Sequence, residues 1–253
     1  MDEPRNSDAL NAASDADIIF AVTKEILDKY KGYEIPKHFI NHGVSDYFFN
    51  QPTKESNGVI RVGLSGNLLR PDIDYETLLL IIRENPQVIF EIWGNYNMED
   101  GNLGGGTGEL GNQFIQSLLE SQNVQLHGSV SSNQLPAEFN RMDAFLICYD
   151  VQKDQSKGTN YHKIMEYLST GKVIISNNVT TYSNKPGLVE MTTERNTNKH
   201  LPALFKKVIE NLATYNSAIL QEQRKAFAAG NTYSKQVETI EQLLKKYWGR
   251  KDL

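Results

Sequence analysis

The sequence predicts an α/β fold in which helices cover both faces of a parallel sheet. Five short apolar segments recur between residues 59 and 176, with helical or loop segments between them. Strands that alternate with helices imply βαβ units and therefore parallel pairing. Continuous apolar strands, such as Ala144-Phe-Leu-Ile-Cys148, are typical of sheets that are covered on both faces. These features together favour a Rossmann-like sheet.

Apolar runs, turn residues and helical periodicity give the bounds of each predicted element. The predicted strands are Val59–Ser65, Val88–Trp93, Val124–Leu126, Ala144–Tyr149 and Val173–Ser176. The predicted helices are Tyr75–Arg83, Gln113–Ser121, Gln134–Asn140, Tyr161–Thr170, Leu201–Leu212, Tyr215–Ala229 and Ser234–Tyr247. Ligands of such sheets bind at the carboxyl ends of the strands.

The first fifty residues form a separate unit in this prediction. Ala16–Thr23 and Lys37–His42 are predicted strands, and Lys24–Lys31 is the helix between them. A turn at residues 43–46 and a polar linker at residues 51–58 follow. We therefore expect three parts, at residues 1–50, 51–230 and 231–253.

Composition limits the class of protein. The chain has 253 residues and a net charge of −5, which is typical of a globular domain and unlike a general nucleic-acid binder. No apolar run approaches the roughly 18 residues that span a membrane, and no signal peptide is visible. The one cysteine, Cys148, lies in an apolar strand, so we expect it to be packed and reduced. We expect a cytoplasmic protein, or one peripheral to the inner face of a membrane when intact.

Residues 158–176 carry the most information about function. Asn160 is predicted to cap a helix, Gly171 to end it in the left-handed conformation, and a buried strand to follow. Lys163 and Glu166 lie three residues apart on one helix face. Such a pair is most often a solvated ion pair. At a helix N-terminus it can instead hold a phosphate at one end and sugar hydroxyls at the other.

This segment resembles the donor-binding segment of GT-B glycosyltransferases of the retaining group 1 (GT4-like) kind. The matching run is Lys-Ile-Met-Glu-Tyr-Leu-Ser-Thr-Gly-Lys-Val-Ile-Ile-Ser, which begins at Lys163. The resemblance implies that Glu166 binds the ribose of a nucleotide sugar and that Lys163 contacts its diphosphate. Many members carry a second glutamate eight positions before the first, where this chain has Gly158. The sugar and the stereochemical outcome therefore stay open.

Other strand ends supply further candidates. Gly66, Asn67 and Arg70 follow the first strand of residues 51–230, where successive N–H groups can form an anion nest beside an arginine. The alternative for this loop is a tight turn with a solvated arginine. Trp93 either stacks on a nucleobase or fills the core. The resemblance implies that the backbone at Gly128 and Ser129 contacts the base, and we expect His127 beside them to be structural.

Two loops have separate interpretations. The polar loop Gln152–Lys157 precedes the Lys163 helix, and we expect it to close over the donor. The run Gly106-Xaa-Gly108-Xaa-Xaa-Gly111 matches a dinucleotide fingerprint formally, but it follows no strand directly and lacks the later acidic residue. We expect a surface insertion there.

The ends of the chain extend the resemblance over nearly its whole length. Ala16-Asp17 and the run Asn41-His-Gly-Val-Ser-Asp46 resemble the close of a GT-B N-terminal domain. The final helix resembles the segment that returns to that domain. Residues 1–50 are therefore interpreted as a remnant of the N-terminal domain, and the chain as a fragment or a half-protein that needs a partner.

The predicted function is donor binding within a glycosyltransferase. The intact enzyme would transfer a sugar from a nucleoside diphosphate donor, of UDP or GDP type, to a glycan or lipid-linked acceptor in surface polysaccharide synthesis. We expect no essential metal or other cofactor, and no catalytic base can be named. The alternatives are a sugar-nucleotide epimerase of the same architecture and a non-catalytic subunit that binds nucleotide sugars.

Overall fold

The computed structural model describes residues 11–49, 58–96, 108–154 and 156–249. Two sheets are present in these ranges, one of two strands and one of six. The eight strands are β1 (Ile19–Ala21), β2 (Lys37–Phe39), β3 (Arg61–Ser65), β4 (Ile89–Trp93), β5 (Val124–Gly128), β6 (Ala144–Ile147), β7 (Val173–Ser176) and β8 (Glu190–Met191).

The six-stranded sheet is parallel throughout, in the order β5-β4-β3-β6-β7-β8. The α-helices of the described residues are α1 (Lys24–Asp28), α2 (Tyr75–Glu84), α3 (Glu109–Glu120), α4 (Leu135–Phe139), α5 (Lys163–Ser169), α6 (Leu201–Glu210), α7 (Leu212–Tyr215), α8 (Ala218–Ala229) and α9 (Tyr233–Trp248).

The predicted α/β fold is confirmed, and so are the five predicted strands of the large sheet. The sixth strand, β8, was not predicted because its two residues are only half-buried and form no apolar run. Helix α3 begins at Glu109, four residues before the predicted start. Helix α5 is shorter than predicted, since Tyr161 lies outside it.

Aromatic contacts pack helices onto both faces of the sheet. On one face Phe90 of β4 stacks on Phe205 of α6, with ring centroids 5.7 Å apart. On the other face Phe145 of β6 stacks on Tyr167 of α5 at 4.0 Å. All four side chains are fully buried. Covering on both faces explains the continuous apolar strands of the sequence.

The N-terminal unit is a small parallel pair. β1 pairs with β2, and Thr23 caps α1 by accepting a hydrogen bond from the Ile26 N–H. The chain then passes Val44, which forms an isolated bridge with Thr232 at the start of α9. The linker at residues 51–58 lies almost wholly outside the described residues.

Helix α9 returns to this N-terminal unit. The Ser234 hydroxyl donates a hydrogen bond to Asp46, the Gln236 amide donates to the Asn41 carbonyl, and Tyr247 contacts His38. The helix has no fully buried residue. Its contacts with the small sheet are therefore mainly polar and partly exposed.

Two expectations from composition can be compared with the structure. Cys148 is buried and free, as predicted for a packed strand residue, and burial raises the pKa of its thiol well above the usual range. Among the described residues, no helix is both long and apolar enough to cross a membrane.

Arg224 of α8 joins two turns of the large domain, the unit that contains the six-stranded sheet. Its guanidinium donates hydrogen bonds to the carbonyl oxygens of Gly171 at 3.0 Å and Gly187 at 2.8 Å, and the side chain has no solvent exposure. Gly171 has φ +78° and ends α5, as predicted for the left-handed stop. Arg224 thus holds the end of the helix that carries Lys163 and Glu166.

Replacing Arg224 by alanine is expected to lower the free energy of unfolding by about 2–4 kcal/mol, because two buried carbonyl groups lose a charged donor and a cavity forms. Urea titration followed by circular dichroism measures this. The matched control is Arg83→Ala, which removes an exposed arginine from α2. Equal stability of the Arg224→Ala and Arg83→Ala variants would contradict the structural role assigned to Arg224.

Candidate functional site

The sheet has a topological switch point between β3 and β6. From β3 the chain proceeds to β4 and β5 on one side, and from β6 it proceeds to β7 and β8 on the other. Connections then leave these two central strands in opposite directions, which opens a crevice at their carboxyl ends. Residues 66–70 follow β3, and Tyr149 follows β6. The predicted residues Gly66, Asn67 and Arg70 therefore lie beside Tyr149 at this crevice.

Lys163 is anchored at the floor of the crevice. Its ammonium donates hydrogen bonds to the Ser65 carbonyl and, at 2.7 Å, to the Tyr149 hydroxyl. The side chain is buried. Burial lowers its pKa, but contacts with Tyr149, Tyr167 and Glu166 outweigh this and raise the pKa overall. A positive charge is therefore fixed where β3, β6 and α5 meet.

Three glycines leave the adjoining strand ends bare of side chains. Gly66, Gly94 and Gly128 follow or end β3, β4 and β5, with φ of +140°, +143° and +69°. A Cβ on Gly66 would lie 2.7 Å from the Lys163 ammonium, and one on Gly94 would lie 1.7 Å from the Gly66 carbonyl oxygen. Glycine is therefore required at Gly66 and Gly94, where Lys163 and the neighbouring backbone fill the space that a side chain would need.

The predicted anion nest is wrong. The N–H groups of Gly66 and Leu68 donate to the carbonyls of Trp93 and Asn95 on the neighbouring chain segment, at 2.8 and 2.9 Å. The Leu69 N–H donates to the Asn67 side chain. These amides hold the loop together and do not point at a ligand, so charge at the site must come from side chains.

Arg70 places a second cation beside Lys163. Its guanidinium pairs with Asp72, lies 3.9 Å from an oxygen of Asp154, and sits 5.7 Å from the centre of the Tyr149 ring. The Lys163 ammonium lies 5.0 Å from the same ring centre. The Asp72 hydrogen bond raises the pKa of Arg70. With 44% of its side chain exposed, Arg70 faces the crevice.

The predicted capping role of Asn160 is wrong. Helix α5 begins at Lys163, and no side chain caps it. The Asn160 amide instead donates to the Val22 carbonyl at 2.9 Å and to the Asn41 side chain at 2.8 Å. Asn160 therefore joins the large domain to the N-terminal unit. Its Oδ1 is buried and has no partner among the described residues, and a ligand cannot reach it in this conformation.

Glu166 lies one helical turn beyond Lys163 and is half-buried. Burial raises the pKa of its carboxyl to about 7, and Lys163 offsets part of this increase. Within the described residues its carboxylate accepts no hydrogen bond. A half-buried acceptor without a donor is suited to hydroxyl groups of a ligand.

Comparisons with known proteins give the fold. No protein-family model and no curated protein matches the sequence. The solved structures that resemble it include Anabaena HepE in complex with UDP and glucose (16% identity, TM-score 0.69), sucrose-phosphate synthase from Thermosynechococcus elongatus (12%, 0.71) and TarM (13%, 0.63). These matches cover 96%, 98% and 97% of this chain. The chain has the GT-B glycosyltransferase fold.

The matches span only part of each solved structure. This chain covers 67% of HepE, 62% of sucrose-phosphate synthase and 46% of TarM. At these identities the likeness establishes the GT-B architecture, with its crevice at the carboxyl edge of the sheet. The subfamily, donor and acceptor are not given by it.

Trp93 does not offer a face to a nucleobase. Its indole is 2% exposed, with His127 stacked 5.1 Å away and Phe139 packed edge-on at 5.5 Å. The core alternative is therefore correct. His127 contacts the buried Glu91 at 2.6 Å, in keeping with the structural role predicted for it.

The two remaining predicted base contacts lie at the end of β5. Gly128 accepts a hydrogen bond from the Gly94 N–H at 2.8 Å, and Ser129 beside it is exposed. Through Gly94 this strand end adjoins Gly66 at the crevice. The structure thus brings Gly128, Ser129 and Gly66 to one edge of the sheet.

The loop before α5 is organised by an aspartate that the sequence did not single out. Asp154 is buried and accepts hydrogen bonds from the Gly158 N–H at 3.0 Å and the Tyr161 hydroxyl at 2.8 Å. Gln155 in this loop lies outside the described residues, as does Gly106 of the glycine-rich run. Tyr149, the partner of Lys163, was missed as well; its position after a buried strand was the available signal.

Gly158 cannot be replaced by the glutamate of the resembled family. Its φ is +65°, and a Cβ there would lie 2.6 Å from the Asn178 carbonyl oxygen. The loop backbone would have to move before a larger residue could fit. The conformation of this loop therefore excludes the family's glutamate at position 158.

Replacing Glu166 by glutamine is expected to raise the free energy of unfolding by about 2 kcal/mol near pH 8 and to leave it unchanged near pH 4.5. The folded-state pKa of about 7 lies above the ordinary value of 4.5, so the folded protein binds more protons between them. Stability consequently falls as pH rises through this window. Urea titrations at both pH values measure the effect.

The control for this substitution is Glu222→Gln on the exposed face of α8. It removes the same charge without a buried environment and should leave stability unchanged at both pH values. A Glu166→Gln variant that is no more stable than the wild type near pH 8 would show that Glu166 is fully solvated.

Proposed function

We propose that this chain is the nucleotide-sugar-binding half of a glycosyltransferase that moves a sugar from a nucleoside diphosphate donor to an acceptor. The observation that carries the proposal is the pair of cations at the switch point. Lys163 and Arg70 lie 5.0 and 5.7 Å from the centre of one tyrosine ring, beside strand ends that carry glycine. A diphosphate needs such charge.

In this proposal each residue acts on a different part of the donor. Lys163 and Arg70 neutralise the charge that develops on the diphosphate as the sugar leaves, and they act from a partly buried site where electrostatic effects are strong. Glu166 accepts hydrogen bonds from the ribose. Asn160 positions the segment before Lys163, and the backbone at Gly128 and Ser129 contacts the base. Charge neutralisation by these side chains requires no essential metal ion.

The comparisons support a uridine donor. HepE has been solved with UDP and with UDP-glucose, and a TarM mutant from S. aureus with UDP. We propose a hexosyl transfer to a glycan or lipid-linked acceptor in surface polysaccharide synthesis. The intact protein would work in the cytoplasm, at the inner face of the membrane.

One alternative has an observation in its favour. The conformation of Gly158 excludes the sugar-side glutamate that many related enzymes carry. This favours a non-catalytic subunit that binds nucleotide sugars and acts through a partner. Donor binding is common to both functions, so it is the property to test first.

The purified chain is expected to bind UDP or GDP with a dissociation constant in the micromolar to millimolar range, and Lys163→Met to weaken binding at least about tenfold. Methionine preserves most of the buried side-chain volume, so the loss reports the missing charge. Isothermal titration calorimetry with each nucleotide measures both proteins.

The matched control is Lys207→Ala, which removes an exposed lysine from α6. It should bind as the wild type does. If the wild type binds neither nucleotide, or if Lys163→Met binds equally well, the crevice is not a donor site of this kind.

The chain alone is expected to show no glycosyl transfer, because its residues before 50 supply only two strands toward an acceptor-binding lobe. Incubation with radiolabelled UDP-glucose or GDP-mannose and a crude glycolipid fraction tests this. A labelled product above the no-enzyme background would contradict it. Isomerisation of the donor without an acceptor would identify the epimerase instead.

A further inference from the structure

Two histidines meet where the N-terminal unit faces the large domain. His42 follows β2, and His162 immediately precedes Lys163. Their ring centroids are 6.2 Å apart, with the rings nearly perpendicular at 77°. Asn160 and Asn41 are hydrogen-bonded beside them, which holds the two segments together. The imidazoles thus lie on opposite sides of the same junction.

Neither imidazole is used by the protein itself. Among the described residues, the ring nitrogens of His42 and His162 make no hydrogen bond or ion pair. His42 is half-buried and His162 is exposed, so both rings are accessible to solvent. The other three histidines contact Tyr247, Glu91 and Glu194. Polar groups without partners at a crevice are suited to a ligand.

Charged groups of both signs surround the pair of histidines. Burial lowers the pKa of both histidines, and nearby Lys163, His42 and Arg70 lower that of His162 further, to about 4. The negative groups close by are Asp72 and Asp154, which contact Arg70, and Glu166, which lies on α5. Four groups that can carry positive charge therefore lie near three carboxylates, of which Asp72 is paired with Arg70. An anion beside the two rings would favour the protonated imidazoles.

We propose that His42 and His162 form a clamp on the donor diphosphate, in which each ring donates an N–H to phosphate oxygens beside Lys163 and Arg70. The proposal rests on the proposed donor-binding function and adds two ligands to it. Because the rings belong to different units of the chain, the bound diphosphate would also pull the N-terminal unit onto the large domain.

A clamp of this kind couples binding to proton uptake. In the empty site the rings are neutral near pH 7, and a bound diphosphate stabilises their charged forms, which raises both pKa values. The affinity contributed by the pair therefore increases as pH falls. Glu166 opposes this trend, because its protonation near pH 7 removes the acceptor for the ribose. The difference between wild type and a variant without the rings isolates the contribution of the histidines.

The test measures UDP-glucose and GDP-mannose binding by calorimetry between about pH 5.5 and 7.5. Both phosphates of these probes are esterified, so their charge is constant over this range. Relative to the double variant His42→Gln/His162→Gln, the wild type is expected to gain about tenfold in affinity as pH falls across it. Repeating the titrations in buffers of different ionisation enthalpy should show proton uptake by the wild type alone.

Two further variants separate the clamp from a structural effect. His162→Lys keeps a permanent cation, so it should bind at least as well as the wild type near pH 7.5 and have a weaker pH dependence. His200→Gln removes an exposed histidine at the start of α6 and should behave as the wild type. Thermal unfolding of each variant checks that its fold is retained.

The outcomes distinguish this inference from the function on which it rests. If the wild type binds a probe, Lys163→Met weakens that binding, and the histidine variants match the wild type at every pH, the clamp is overturned and the donor site stands. If the wild type binds neither probe, the donor site fails and the clamp with it.

Discussion

The rest of the site depends on the buried ammonium of Lys163. Burying a cation is costly unless hydrogen bonds replace its water, and the Ser65 carbonyl and Tyr149 hydroxyl supply them from β3 and from the residues after β6. The position of the ammonium also restricts the neighbouring strand ends. The ammonium leaves no room for a side chain on Gly66, and the Gly66 carbonyl leaves none for Gly94. One buried charge thus determines the backbone of two strand ends.

The junction between the two units is held differently from the core. Asn160, Asn41 and Val22 form hydrogen bonds across it, and α9 contacts the N-terminal unit through exposed or half-buried side chains. The buried hydrogen bond between Asn160 and Asn41 and the packing of Phe48 against Phe139 tie residues 41–48 to the large domain, whereas the contacts of α9 are partly exposed.

The sequence predicted those features that depend on local pattern. The apolar runs gave five strands of the large sheet, and Gly171 gave the end of α5, because burial and left-handed geometry restrict residue choice locally. The wrong predictions concern side chains whose partners lie far away in the sequence. Asn160 bonds to residues 138 and 119 positions away, and Trp93 is covered by His127 and Phe139. Nothing in the immediate sequence distinguishes a capping asparagine from one that joins two units.

Position 158 lacks the carboxylate that many members of the resembled family carry there. Asp154 is the nearest acidic residue to Gly158 along the chain. Asp154, however, is buried and accepts hydrogen bonds from Ser156, Gly158 and Tyr161, so its oxygens are occupied by the loop. It shapes the loop and is not available to a sugar.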